Sequence, residues 1–275
     1  MLKLMYITNV PKFALIAEKN GVDRIWIDLE TLNKNERQKN IDSVKSKHCI
    51  SDIYKISPLL TTAEMLVRIN PINPTSKTEI DSVVAAGAKI IMLPMWKTVD
   101  EVKKFIAYVN GRVKTLLLLE TAEAVECIDE VLALGGFDEI HIGLNDLHLS
   151  YGLNFMFELL TDGTVEMLCN KFKHYDIPYG FGGIAGLGCG MLPAEKVIME
   201  HYRLGSTRAI LSRSFCNTKK DKDVNERFVS GMTQIRNFEK TISSYSSEQF
   251  ETNRKETCAI VADIVNKIKT KALEA

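Results

Sequence analysis

The sequence lacks a Cys-x-x-Cys pair, a surplus of either charge and any long apolar run, and each absence narrows what the chain can be. Cys49, Cys127, Cys169, Cys189, Cys216 and Cys258 are scattered. Neither a zinc ribbon nor a disulfide framework is legible, and a reducing, cytoplasmic location is expected. Thirty-five basic residues against thirty-five acidic ones leave a formal net charge of zero. That removes the electrostatic argument for nucleic acid or an anionic membrane as partner. No stretch approaches the roughly 18 apolar residues that span a bilayer. The opening MLKLMYITNVPKF has no small-residue cleavage pattern, so no leader peptide is expected. The one candidate glycosylation acceptor, Asn73-Pro74-Thr75, carries the disqualifying proline.

What is present is a recurring alternation. Short β-rich runs at 3–8, 24–30, 65–70, 89–94, 115–121, 139–143, 179–185 and 208–215 are separated by segments with helical apolar spacing. Val99, Val102, Phe105, Ile106 and Val109 make one such stripe, and Ala124, Ile128, Val131 and Leu132 another. Eight strands, each followed by a helix, suit a closed α/β (β/α)₈ TIM barrel better than an open sheet. The turn after the first strand, Thr8-Asn9-Val10-Pro11, is not a glycine-rich pyrophosphate cradle. The late stretch 180–190 is glycine-rich but has no P-loop lysine. Residues 1–216 are read as the barrel core and 217–275 as a helical C-terminal extension. Phe228, Met232, Ile235, Phe238 and Ile242 recur at helical spacing there, and a last helix is expected near 259–268. These stripes need a surface, so the extension either completes the barrel or contacts another copy in a homo-oligomer.

Chemistry in such a barrel sits at the carboxyl ends of the strands, where polar residues end apolar runs. Asp28 and Glu30 end the second run, Arg68 and Asn70 the third, Glu120 the fifth, and Asn145 and Asp146 follow the sixth. Side chains alternate along a strand, so Leu116, Leu118 and Glu120 share a face, as do Trp26, Asp28 and Glu30, and Leu66 and Arg68. Three acids and one guanidinium then converge on one mouth. Buried unpaired charge is costly, so a cation and an anionic ligand would balance it. The plain structural alternative has Glu120 capping the next helix and Arg68 pairing with Glu30. Oxygen-only ligands suit Mg²⁺ or Mn²⁺ rather than zinc. The histidines at 48, 141, 148, 174 and 201 show no metal-binding spacing and are assigned structural or solvent roles. His148, two residues after Asp146, is the one that could overhang the mouth.

These residues in this order resemble the HpcH/HpaI aldolase and citrate lyase β-subunit family. The likeness rests on the 21–30 stretch with Asp28 and Glu30, on Val67-Arg68-Ile69-Asn70, on 87–94, on Leu119-Glu120-Thr121, and on 142–147 with Gly152. It covers about residues 1–216 and implies a divalent-metal barrel that makes or breaks a carbon–carbon bond next to a carbonyl. By position, Glu120 and Asp146 match the metal-binding carboxylates, Arg68 the arginine that steadies an enolate oxygen, and Asp28 and Glu30 the acidic pair. Gly143 and Asn145, through backbone amides, and Pro94 and Trp96 would line the substrate site. Thr31 stands where the family's pyruvate aldolases carry a histidine, and threonine does not titrate near neutral pH. The base would be a metal-bound water, another residue, or missing.

The resemblance thus implies aldol or retro-aldol chemistry on a 2-oxo acid through a pyruvate enolate. Lys89 and Lys114 lie at strand starts, which disfavours a lysine imine. An acyl-CoA thioester lyase or hydrolase is the alternative, with Lys34, Lys97 and Arg213 as candidate phosphate partners. A barrel that serves as a non-catalytic scaffold is the third reading.

Overall fold

A computed structural model describes residues 1–32, 47–216 and 223–273. Strands β1 (Lys3–Ile7), β2 (Arg24–Asp28), β3 (Glu64–Arg68), β4 (Ile90–Leu93), β5 (Lys114–Leu119), β6 (Glu139–Ile142), β7 (Tyr179–Ile184) and β8 (Arg208–Leu211) follow in chain order around a closed barrel. The (β/α)₈ expectation holds. Every run read from the sequence overlaps a strand, β3 and β5 begin one residue before theirs, and every strand stops earlier than the run does. Glu30, Asn70 and Glu120 therefore sit just past the last ladder bonds, on the loops that a barrel uses for chemistry.

Among the described residues the helices are α1 (Pro11–Lys19), α2 (Ile50–Ile56), α3 (Ser76–Ala85), α4 (Val99–Val109), α5 (Ala122–Glu126), α6 (Ile128–Leu134), α7 (Leu144–Ser150), α8 (Glu158–Thr161), α9 (Thr164–His174), α10 (Ala194–Leu204), α11 (Val224–Ile242) and α12 (Ser247–Leu273). Their starts are coded locally. Thr98 caps α4 by accepting from the Glu101 amide, with the Glu101 side chain returning the favour to the cap amide. Thr121 caps α5 and Asp223 caps α11 in the same way. The stripe from Ala124 to Leu132 is two helices rather than one, because Cys127, at φ −96° and ψ 11°, leaves the helical path.

The chain divides into two compact units, residues 5–140 and residues 1–4 with 141–275. In the first, β2, β3, β4 and β5 are parallel and in register: Trp26 stands beside Leu66 and Leu66 beside Ile90, while Asp28 stands beside Arg68, Arg68 beside Met92, and Met92 beside Leu116. β2 and β4 are buried at every position, as parallel strands covered on both faces should be. Arg24 is fully buried and forms a two-toothed bond with Glu139 at 2.7 Å for each tooth; it also reaches Glu64 at 3.3 Å, which Lys114 neutralises from outside.

In the second unit, α12 packs on α10 and α8. Phe228, Met232, Ile235, Val261, Ile264 and Val265 are all buried within this unit. The apolar stripes are satisfied by the chain itself, so the argument that they require a second copy falls away. α12 is also far longer than the helix read from 259–268, because its polar residues carry no apolar period. β7 needs glycine for packing: a Cβ on Gly180 would lie 2.4 Å from the Arg208 carbonyl oxygen. Among the described residues all six cysteines are free, and no helix is long and apolar enough to cross a membrane.

Candidate active site

Within residues 5–140, strand parity does what the sequence requires of it. Asp28, the last residue of β2, and Arg68, the last of β3, are cross-strand neighbours. The Arg68 guanidinium donates from Nε to Asp28 Oδ1 at 2.8 Å and from Nη2 to Oδ2 at 2.9 Å. Nη2 also pairs with Glu30 Oε2 at 3.3 Å. Beneath it, the Arg68 Cζ lies 5.2 Å from the centre of the Trp26 ring, a cation–π distance. Nη1 makes no hydrogen bond with any described residue. Burial works against the charge of Arg68, but Asp28 and Glu30, and then Glu120, more than offset it and raise its pKa further above the usual arginine value.

Glu120, buried at 2% exposure, accepts at Oε1 from the Met95 amide at 3.1 Å. Met95 achieves this in the left-handed region, φ 53°, an unusual conformation for a side-chain-bearing residue. Capping of the following helix falls to Thr121, not to Glu120. Asp28, Glu30 and Glu120 set three buried carboxylates around the Arg68 guanidinium. Carboxylate oxygens are the donor type that a hard divalent cation takes. Among the described residues no group of three or more His, Cys, Asp or Glu side chains is placed to hold a metal ion.

Around this cluster lie residues that sequence reasoning passed over. The Asp28 amide donates to His48 Nδ1 at 3.0 Å. Asn70 Oδ1 takes the amides of Thr31 and Leu32 and the Thr31 hydroxyl, and its own Nδ2 donates to Glu79 at 2.8 Å. Burial raises the pKa of Glu79, with the Asn70 bonds opposing it. Thr31 is thus a bonded loop residue. Nothing in residue type or spacing flags the Met95 amide, since a backbone donor becomes visible only with the turn. Pro94 and Trp96 are both buried, Trp96 at 1% exposure; its carbonyl accepts from the Thr121 hydroxyl, and its indole N–H has no partner.

In the unit that contains residues 141–275, Gly143 precedes α7 and Asp146 lies in its first turn, half-buried, beside exposed Asn145. The first-turn amides of Leu144, Asn145 and Asp146 are not used by the helix. His148 bonds through Nδ1 to the Leu144 carbonyl at 3.2 Å, a structural role. Of the phosphate-contact candidates, Lys97 pairs with Glu123, Arg213 is exposed, and Lys34 lies outside the described residues.

The sequence matches the family model described as HpcH/HpaI aldolase/citrate lyase over residues 4–156. No curated protein is a significant match. Among solved structures, the HpcH/HpaI aldolase from Desulfitobacterium hafniense DCB-2 superposes with a TM-score of 0.59 at 15% identity, covering 89% of this chain and 94% of that one. An HpcH/HpaI aldolase/citrate lyase family protein from Burkholderia cenocepacia J2315 gives 0.57 at 15% identity, covering 77% and 88%. The citrate synthase SbnG gives 0.57 at 15% identity, covering 77% and 85%. At these identities the structural likeness speaks to the fold.

Proposed function

The chain belongs to the HpcH/HpaI aldolase/citrate lyase family, and from that premise we propose that it is a divalent-metal-dependent carbon–carbon lyase cleaving a 4-hydroxy-2-oxo acid to pyruvate and an aldehyde. The family supports a lyase-type enzyme in general; the metal, the substrate class and the residue roles are our reading. The observation that carries it is Arg68: two of its nitrogens are fixed by Asp28 and Glu30, while Nη1 is left without a partner among the described residues. A guanidinium held this way offers preorganised N–H donors to an oxygen that becomes negative during reaction.

In the cleavage, the bond between C3 and C4 breaks and its electron pair moves into an enolate, while the 4-hydroxyl gives its proton to water and becomes the aldehyde carbonyl; a proton returned from water to C3 of the enolate completes pyruvate. Arg68 Nη1 donates to the oxygen at C2 as charge gathers there. Asp28 and Glu30 keep the guanidinium oriented, and Trp26 fills the space below it. By the family resemblance, Glu120, steadied by the Met95 amide, and Asp146, in the first turn of α7, are assigned as the carboxylates that would hold Mg²⁺ or Mn²⁺. Such an ion would supply Lewis-acid stabilisation of the same oxygen. The amides of Asn145 and Asp146 are assigned to the substrate carboxylate. Thr31, bonded to Asn70, takes no part in proton transfer.

The test is pyruvate release from a panel of 4-hydroxy-2-oxo acids with Mg²⁺, with Mn²⁺ and with chelator, beside a panel of acyl-CoA thioesters. Metal-dependent pyruvate release supports the reading. Turnover confined to thioesters, or undiminished by chelator, overturns it.

A further inference from the structure

A second set of unsatisfied donors lies in the unit formed by residues 141–275, where the turn after β7 meets the turn after β8. Arg227, in the first turns of α11, donates from Nε to the Phe215 carbonyl at 2.6 Å. Its guanidinium lies against Gly186: a Cβ there would come within 2.7 Å of Nη2 and 3.5 Å of Cζ. No described carboxylate pairs with Arg227. Asp223 caps α11 through the Glu226 amide, and Glu226 itself is exposed. Glu195, which follows the β7 turn, accepts at Oε1 from the Gly188 amide, and its Oε2 is buried without a partner among the described residues. Gly186 is itself buried, and its amide has no acceptor among the described residues. A buried amide without a partner is rare. The β8 turn adds Ser212, whose amide donates to the Ile184 carbonyl, whose carbonyl takes the Phe215 amide, and whose hydroxyl oxygen takes the Ser214 amide while its own proton has no acceptor among the described residues.

A guanidinium bonded only to a carbonyl, a glycine amide and a serine hydroxyl are all donors, and none is bonded to an anionic group among the described residues. In barrels of this architecture the loops after the seventh and eighth strands recurrently hold phosphate. We propose that Arg227, the Gly186 amide and Ser212 form an oxyanion subsite for a phosphate or carboxylate group of a bound small molecule. Gly186 is glycine here because a side chain would push the guanidinium away, and the planar fork of Arg227 matches two oxygens of such a group. The subsite goes beyond the lyase reading and does not depend on it, since its test reads binding alone.

Calorimetric titration of the full chain with inorganic phosphate, and separately with succinate, tests it at about 0.15 M salt, where long-range attraction is screened. Saturable 1:1 binding is expected, weakened at least about tenfold in Arg227→Gln. Gly186→Ala, which alters no charge, should weaken it as well and keeps the test open if Arg227→Gln folds poorly. Lys240→Gln removes an exposed cation from the last turn of α11 and should leave affinity within about twofold. The anion that binds more tightly identifies the group recognised. No binding by the unaltered protein, equal binding in both Arg227→Gln and Gly186→Ala, or an equal loss in Lys240→Gln overturns the proposal.

Discussion

Arg68 is held by Asp28 and Glu30 while Nη1 has no partner among the described residues, so a conservative replacement separates chemistry from stability. Arg68→Lys keeps the positive charge but gives up the two-toothed grip on Asp28. Turnover is expected to fall by about 10²-fold or more, the usual consequence of losing one preorganised donor. The melting temperature should move by only a few degrees, and a collapse of folding would reassign Arg68 as a structural ion-pair member. Glu120→Ala should abolish Mg²⁺ or Mn²⁺ binding in calorimetry, because it removes one of the two carboxylates assigned to the ion. Unchanged metal affinity would remove Glu120 from the metal site. Asp28, Glu30, Arg68 and Glu120 were legible because a single parity rule, applied to strands whose apolar stripes end in charge, puts them on one face. Thr31 and Asn70 were legible as residues, but their mutual bonds were not, since loop geometry leaves no period in a sequence.

At the level of elements, the strands read clearly and the connections less so. Val, Ile and Leu runs fix eight strands, whereas their ends are set by where the ladder bonds stop, a matter of neighbours rather than of propensity. The ionic layer under the site shows the same limit. Arg24 opens β2 and Glu139 opens β6, and no local pattern announces that they meet. Removing one partner leaves a buried charge, so Glu139→Gln and Arg24→Met should each lower unfolding free energy by about 3–5 kcal/mol, read from the urea midpoint. The paired change Arg24→Met with Glu139→Leu should be much milder than the sum of the single changes. Additive losses would show that each residue acts alone. The length of α12 escaped the sequence for the opposite reason: much of it is solvated, and only Asn253, Thr257, Val261, Ile264 and Val265 are buried.

For the molecule as a whole, acidity and the C-terminal helices set the limits of stability. His201 is stacked on Phe181 with ring centres 3.8 Å apart, and burial, with His141 adding to it, pushes its pKa down to about 3. The unfolded chain takes up that proton near pH 6.5 and the folded one does not. The contribution of neutral His201 is complete above pH 6.5 and drains away as pH falls toward 3, a loss of a few kcal/mol. Urea unfolding across that range should show the slope, and His201→Gln should flatten it; an unchanged slope would place the acid sensitivity elsewhere. Deleting α12 removes Val261, Ile264 and Val265 and uncovers the surfaces of α8 and α10 on which the helix packs. Such a truncation should lower the melting temperature by many degrees, whatever mass light scattering gives for the intact protein. A truncated chain that melts unchanged would mean that α12 is dispensable to its unit. The join between the ends of the chain has a consequence in time. The Leu2 amide donates to Glu239 Oε1 at 2.6 Å, and Arg236 Nη1 donates to the Leu2 carbonyl at 2.8 Å, so a single turn of α11 holds both backbone groups of a residue 237 positions away from Glu239. A ribosome delivers Leu2 first and Glu239 late, and at about 5–20 residues per second the interval is at least ten seconds or so. Until then the lower end of β1 waits without its anchor. A newly made copy has its most exposed interval on the ribosome, and a chaperone that shields the first strand would act there rather than after release.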